Sequence, residues 1–525
     1  MPWDEKKHVL HSRSGRIGGR ADTTVQDLDR LVAALKEDSR GHLVIHFHGG
    51  LVSKAAGLEI ARSLYPVYSP EAGGGGYPVF FVWESSAWEA IRNNLTELAD
   101  EPVFKQLLRK LTQYALEKIG AVGGVRSLDG AAIGAYKEET NKEFQRFWES
   151  PSSETIPFWR THRSTTASRS AQLPTEEQIQ ADLEQDYEVL RALATLPGLP
   201  VSSRTALVKS GSTPQERTAD FSYAAAATLG CADGARGFFS LLAVARFVLR
   251  VLRNVIRRFA IGRDHGLYAT CIEELVRGFK IGGSAANEWA KALEWNRMKK
   301  DTEDAFGLDP NLHVGTALLT RVRLAIDSGW TPRRITLIGH STGAIYIANW
   351  LDRAKAILPP FLKHDVVFLA PAITYDRWAE TLANGSDCIG RFRMFAMKDE
   401  LEREDQVWGD DTEIPNDWRR FIYPSSLLYL VSGILEGRNL DGNWVDEPDM
   451  PLVGMQRYFT QSAVYRDEEF KSVQSVRRWL AAERNRAVWS ITAPQAEPGC
   501  SCESNDHGAF DNDGATLESL THFVG

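Results

Sequence analysis

Short runs of β-branched and aromatic residues, each closed by turn residues and separated from the next by a helical pattern, constrain this chain more than any other feature. Such runs occur at His42–Phe47 (HLVIHF), Pro78–Trp83 (PVFFVW), Arg334–Ile338 (RITLI), Asp365–Leu369 (DVVFL), Phe392–Met397 (FRMFAM) and Ala487–Thr492 (AVWSIT). Helical periodicity follows or precedes them, as at Val25–Lys36 after a Thr-rich start and at Ala344–Ala354. Buried strands alternating with helices are accommodated by a mostly parallel central sheet covered on both faces. The predicted fold class is therefore α/β.

About 250 residues separate the PVFFVW and RITLI runs, far more than a normal connection between sheet elements, so that stretch must carry structure of its own. Its composition is helical at Leu95–Tyr114 and on through Phe144, at Glu176–Leu193 and at Gly266–Phe306, while the Ser/Thr-rich stretch Arg160–Pro174 reads as a flexible connection. The expected organisation is a core split into residues 1–85 and 331–525, with a helical insertion or cap over residues 86–330. Within the insertion, Gly237–Arg263 is apolar around most of a helix, and Arg246, Arg250, Arg253 and Arg257 share one narrow face. A membrane span is excluded by those arginines, each costing about 2.5–3.5 kcal/mol at a bilayer centre. A packed lid helix and a peripheral helix lying on anionic lipid remain, and both favour an apolar substrate. Gly282–Phe306, with Trp289, Trp295 and Met298, is expected to continue the cap. Tyr423–Glu436 is expected to add an apolar helix on the rim of a cleft.

A net charge of -8 and a pI near 5.9 supply no basic field for a phosphate backbone, which argues against nucleic acid as the main partner. The N-terminal MPWDEKKHVLHSRSGR lacks the apolar stretch of a secretory signal, and the five cysteines are an odd, scattered set. A cytoplasmic setting is expected, with membrane contact at most peripheral. Cys500 and Cys502 stand just before His507, but the rest of a tetrahedral metal set is missing, so they read as loop cysteines.

Gly339-His340-Ser341-Thr342-Gly343 lies between an apolar strand pattern and a helical one. A Gly-x-Ser-x-Gly turn at such a junction needs small residues, because the backbone reverses sharply and holds the serine strained and exposed. His507, in Asn505-Asp506-His507-Gly508, follows the last strand-like run, where a loop histidine can take the proton of Ser341. In these features, over roughly His42–Glu84 and Arg334 to the C-terminus, the chain resembles the α/β-hydrolase superfamily. The resemblance implies a nucleophile, an acid and a histidine in that chain order, which Ser341, Asp399 and His507 satisfy. Asp399 is preferred as acid because it follows the FRMFAM run almost directly; Glu400, Glu402 and Asp405 compete, and Asp376 is a more distant choice.

Acyl transfer builds negative charge on a carbonyl oxygen, and two backbone N–H groups aimed at that oxygen lower the barrier. One is expected from Thr342. The other is expected from His48-Gly49-Gly50-Leu51, which resembles the HGG loops of lipases and esterases, with Gly50 or Leu51 as donor. His46 and His48 alternate on one strand face and could be read as metal ligands, but no third ligand accompanies them and the serine route needs no metal or other cofactor. The expected activity is hydrolysis of a carboxylic, lipid-like ester through an acyl-serine intermediate. Acyl transfer, or thioester or amide cleavage by the same residues, is the alternative within enzymes; a hydrolase-like binding scaffold is the alternative outside them.

Overall fold

The computed structural model describes residues 3–18, 23–50, 52–69, 75–83, 95, 98, 100–119, 142–150, 173–193, 229, 241–281, 295–407, 422–440, 443–445 and 447–525. Seven strands form one sheet: β1 (Val9–Ser12), β2 (His42–Phe47), β3 (Tyr77–Trp83), β4 (Arg334–His340), β5 (His364–Leu369), β6 (Ile389–Met397) and β7 (Ala487–Ser490). Every neighbouring pair is parallel, in the order β1-β3-β2-β4-β5-β6-β7. The fold is α/β, an all-parallel sheet flanked by helices. Every residue of β2, β3 and β5 is buried, which is why their sequences are continuous apolar runs rather than alternating ones.

One core layer takes a side chain from each strand: Val9, Val44, Phe80, Ile338, Val367, Phe395 and Val488. Leu64 of the Lys54–Tyr68 helix and Leu520 and Phe523 of the Gly514–Val524 helix cover them. Fully burying such side chains is worth about 1.5–3 kcal/mol each, so this layer holds the strand ends in fixed relation. From β2 the chain moves outward to β3 and then crosses back to β4 on the other side of β2, so the strand order reverses between β2 and β4. Ligands of open parallel sheets bind at the carboxyl ends of strands at such a reversal. Here those ends carry His48-Gly49-Gly50 and Ser341.

Contacts divide the chain into two units: residues 1–89, 294–405 and 451–525 with the sheet, and residues 90–293 and 406–450. These boundaries differ from the expected 1–85, 86–330 and 331–525 in two places. Residues 294–330 go with the sheet, because the Val314–Asp327 helix buries Val314, Leu318, Leu319 and Val322 and packs on the helices Val25–Glu37 and Gly343–Ile357. Trp295 and Met298 are buried in this unit too, rather than in a cap. Composition could not separate this helix from the insertion's own.

Residues 406–450 join the second unit through a buried polar cluster. The Tyr423 hydroxyl donates to Glu273 at 2.5 Å, Glu273 also meets His265 at 2.9 Å and Arg258 at 2.6 Å, and Arg263 binds Asp449. A side chain at Gly433 would come within 2.3 Å of Glu273, so the segment is pressed against the cluster. The Tyr423–Glu436 stretch forms only a short helix, Leu427–Leu430, and a π-turn, Val431–Leu435. In the long helix Leu241–Ile261 most of the apolar residues, from Val244 to Phe259, are buried while Arg246, Arg250, Arg253 and Arg257 are exposed. No helix among the described residues is long and apolar enough to cross a membrane. Leu51, Trp289 and residues 160–172 lie outside the described residues.

Candidate active site

Ser341 joins β4 to the Gly343–Ile357 helix with φ of +53°, a left-handed conformation that costs a non-glycine residue energy. Its N–H donates to the Leu369 carbonyl at 2.8 Å, and its carbonyl accepts from Ala344 and Ala372, each at 3.1 Å, so the strained turn is held from both sides. The flanking glycines are sterically required. A Cβ on Gly339 would lie 2.6 Å from the Gly343 backbone, and one on Gly343 would lie 2.3 Å from the Phe47 carbonyl oxygen. The Gly-x-Ser-x-Gly spacing thus lets strand, turn and helix close on one another and on the end of β2.

His507 lies in the loop after β7, buried, with Nε2 3.0 Å from Ser341 Oγ. The residues are 166 positions apart, and the fold brings them to hydrogen-bonding distance. Burial pushes the His507 pKa down to about 3, helped by the neighbouring His340 and opposed by Asp511. The ring is therefore neutral at pH 7, with Nε2 free to accept the serine proton. His507 Nδ1 is buried and has no hydrogen-bond partner among the described residues.

The expected acid, Asp399, is not on His507. It opens the short Asp399–Glu404 helix, where its N–H donates to the Gln456 side chain at 3.0 Å. Asp405, at the far end of that helix, is the carboxylate at the histidine: its Oδ2 accepts the His507 backbone N–H at 3.1 Å. The helix explains the difference, because the turn after β6 carries the chain one short helix further before a carboxylate reaches the loop. Asp376 sits in the first turn of the helix after β5, Glu400 is exposed and Glu402 is buried.

Gly49 lies beside Ser341, since a Cβ on it would be 3.6 Å from Ser341 Cβ; a Cβ on Gly50 would be 2.5 Å from Thr342 Oγ1. The loop after β2 and the start of the Gly343–Ile357 helix therefore meet without a side chain between them. Thr342 Oγ1 is buried there without a partner among the described residues. His48 shapes the loop: its Nδ1 meets the Gly49 carbonyl at 2.7 Å and its Nε2 accepts the Trp83 N–H at 3.2 Å. Both nitrogens are occupied, and burial lowers its pKa to about 4, so it is a neutral strut without a lone pair left for a metal. His46 Nδ1 meets Tyr68 Oη at 3.0 Å. Cys500 and Cys502 are free thiols in the apolar core layer, and Thr516 donates to Cys502 Sγ at 3.1 Å.

Two residues of the site escaped the sequence reading. His340, in the variable slot before the serine, has Nε2 2.9 Å from the His507 carbonyl and Nδ1 3.6 Å from Asp511 Oδ2. Asp511 lies four positions past His507, in the 3-10 turn Ala509–Asp511. The only signal was local: a histidine inside the pentapeptide and a carboxylate one turn beyond the candidate base. Compared with known proteins, the chain matches no family model, no curated sequence and no solved structure.

Proposed function

We propose that this protein is a serine hydrolase of the α/β-hydrolase type, cleaving a carboxylic ester through an acyl-serine intermediate. The observation that carries the reading is the 3.0 Å approach of a buried, neutral His507 Nε2 to Ser341 Oγ at a left-handed turn between two obligatory glycines. In this reading His507 takes the Ser341 proton as the oxygen attacks the ester carbonyl, gives it to the leaving alcohol, and then activates the water that releases the acid. The Thr342 amide, at the start of the nucleophile helix, and an amide of the Gly49-Gly50-Leu51 loop stabilise the oxyanion.

Asp405 is the preferred acid. It already binds the His507 main chain, and a buried imidazole Nδ1–H without an acceptor is what a nearby carboxylate would satisfy. Rotation of that carboxylate or of the ring would orient the base and stabilise its cation. The lipid-like substrate and peripheral contact with anionic lipid through Arg246–Arg257 belong to the same proposal, supported by the exposed arginine row.

The test is hydrolysis of a p-nitrophenyl ester series of increasing acyl length, beside matched amides and thioesters. Ester turnover that rises with acyl length and vanishes in Ser341→Ala supports the reading. Turnover of none of the three classes by folded protein would favour a binding scaffold.

A further inference from the structure

His340 faces two acceptors. Its Nε2 lies 2.9 Å from the His507 carbonyl oxygen, which can only accept, so that nitrogen carries a hydrogen. Its Nδ1 lies 3.6 Å from the Asp511 carboxylate, which favours a proton there as well. Both residues are buried. With both nitrogens protonated the ring is a cation facing an anion, in the interior, directly behind the candidate base. Burial works against charge on His340, yet Asp511 and the His507 carbonyl raise its pKa above the ordinary value. Asp511 is likewise held below the usual carboxylate range despite its burial, chiefly by His340.

We propose that His340 and Asp511 form a charged tether between the nucleophile turn and the histidine loop, and that this tether positions His507 on Ser341. His340 immediately precedes Ser341, and Asp511 follows His507 by four residues, so the pair spans the same two segments as the reactive hydrogen bond. The His507 peptide is gripped at both ends, its N–H by Asp405 at 3.1 Å and its carbonyl by His340 at 2.9 Å. The imidazole thereby has a fixed root from which to reach Ser341, and the rings of His340 and His507 lie with centroids 5.5 Å apart. Loss of one partner leaves a buried charge uncompensated, whereas loss of both does not. The two are positioning residues, acting through His507, and the inference rests on the serine hydrolase reading.

The experiment measures the rate at which a fluorophosphonate inactivates the wild type, His340→Gln, Asp511→Asn and the double variant, with each rate divided by the folded fraction from circular dichroism. Reaction joins Ser341 Oγ to phosphorus, expels fluoride and passes the serine proton to His507, so the rate reads the positioning of that pair. Each single variant should react about 10- to 100-fold more slowly, the scale of a misplaced reacting group. The double variant should be no slower than the worse single, as coupled partners require. The wild-type rate should also fall as pH rises above the ordinary histidine range and His340 loses its proton, a limb the double variant lacks. The groups facing His340 are Asp506, His507 and Asp511 on the histidine loop, His46 on β2 and His48 just after it. Of these, His46, His48 and His507 are already neutral, with pKa values of about 3 to 4. Equal rates per folded molecule, or additive losses, would overturn the tether while leaving the hydrolase reading intact. Absence of labelling in the folded wild type would instead remove the hydrolase reading, and the tether with it.

Discussion

A buried imidazole that accepts a proton must be neutral at rest, and the desolvation of His507 keeps it so down to about pH 3. Because this pKa is lowered, the base form is complete above the ordinary histidine range and is lost only as pH falls towards 3. The acid limb of kcat/KM should therefore lie well below pH 6.5; a limb at 6.5 would mean that His507 is solvated or is not the base. The acid is the second residue-scale question. Asp405→Asn should lower kcat by up to about 10⁴-fold, the effect of leaving a catalytic imidazole in the wrong tautomer, whereas Asp399→Asn should stay within about threefold. The reverse order, read from steady-state rates on one ester, would restore Asp399.

At the scale of elements, β2, β3 and β5 were legible because each is a run buried on both faces, and β4, β6 and β7 because most of their length is apolar. The expected and observed bounds agree completely at His42–Phe47 and to within a few residues elsewhere. β1 was not legible: four residues, two of them His11 and Ser12, make too short a run at the sheet edge. Ser341 was legible because a strained turn needs glycines, and His507 because it lies in the loop between the last strand and the last helix. The carboxylate at the His507 loop was legible only as one of several, since the Asp399–Glu404 helix separates the strand end from Asp405, and only tertiary structure reveals that offset. The Leu241–Ile261 helix poses an element-scale test of its own. Arginines at spacings of three and four on one face repel one another, and only Arg246 has an ion-pair partner among the described residues, Glu176 at 2.8 Å. An anionic bilayer would relieve that repulsion by about 1 kcal/mol per arginine. Cosedimentation with phosphatidylserine-containing vesicles should occur at low salt and be lost in the Arg250→Glu/Arg253→Glu/Arg257→Glu variant. Equal sedimentation of the two proteins would exclude this row as the contact.

For the whole molecule, the sheet unit shelters several histidines whose pKa values burial pushes far down: His42, His48 and His364 to about 4, His46 and His507 to about 3. The unfolded chain protonates them near pH 6.5 and the folded chain does not. The unfolded state therefore binds more protons between the two values, and stability is complete above 6.5 and declines as pH drops below it. Each contributes up to about 1.4 kcal/mol per pH unit, opposed by the single raised pKa of His340. The urea midpoint should be clearly lower at pH 5.5 than at pH 7.5; an unchanged midpoint would mean that these rings are hydrated in solution. The same sheet that buries them brings Ser341 and His507 together from opposite ends of the C-terminal segment. The most direct test is to treat the folded wild type, Ser341→Ala and His507→Ala with a fluorophosphonate and locate the adduct by mass spectrometry. A single adduct on Ser341 is expected in the wild type and none in either variant, whereas an adduct on another serine, or labelling undiminished in His507→Ala, would contradict a Ser341–His507 catalytic pair.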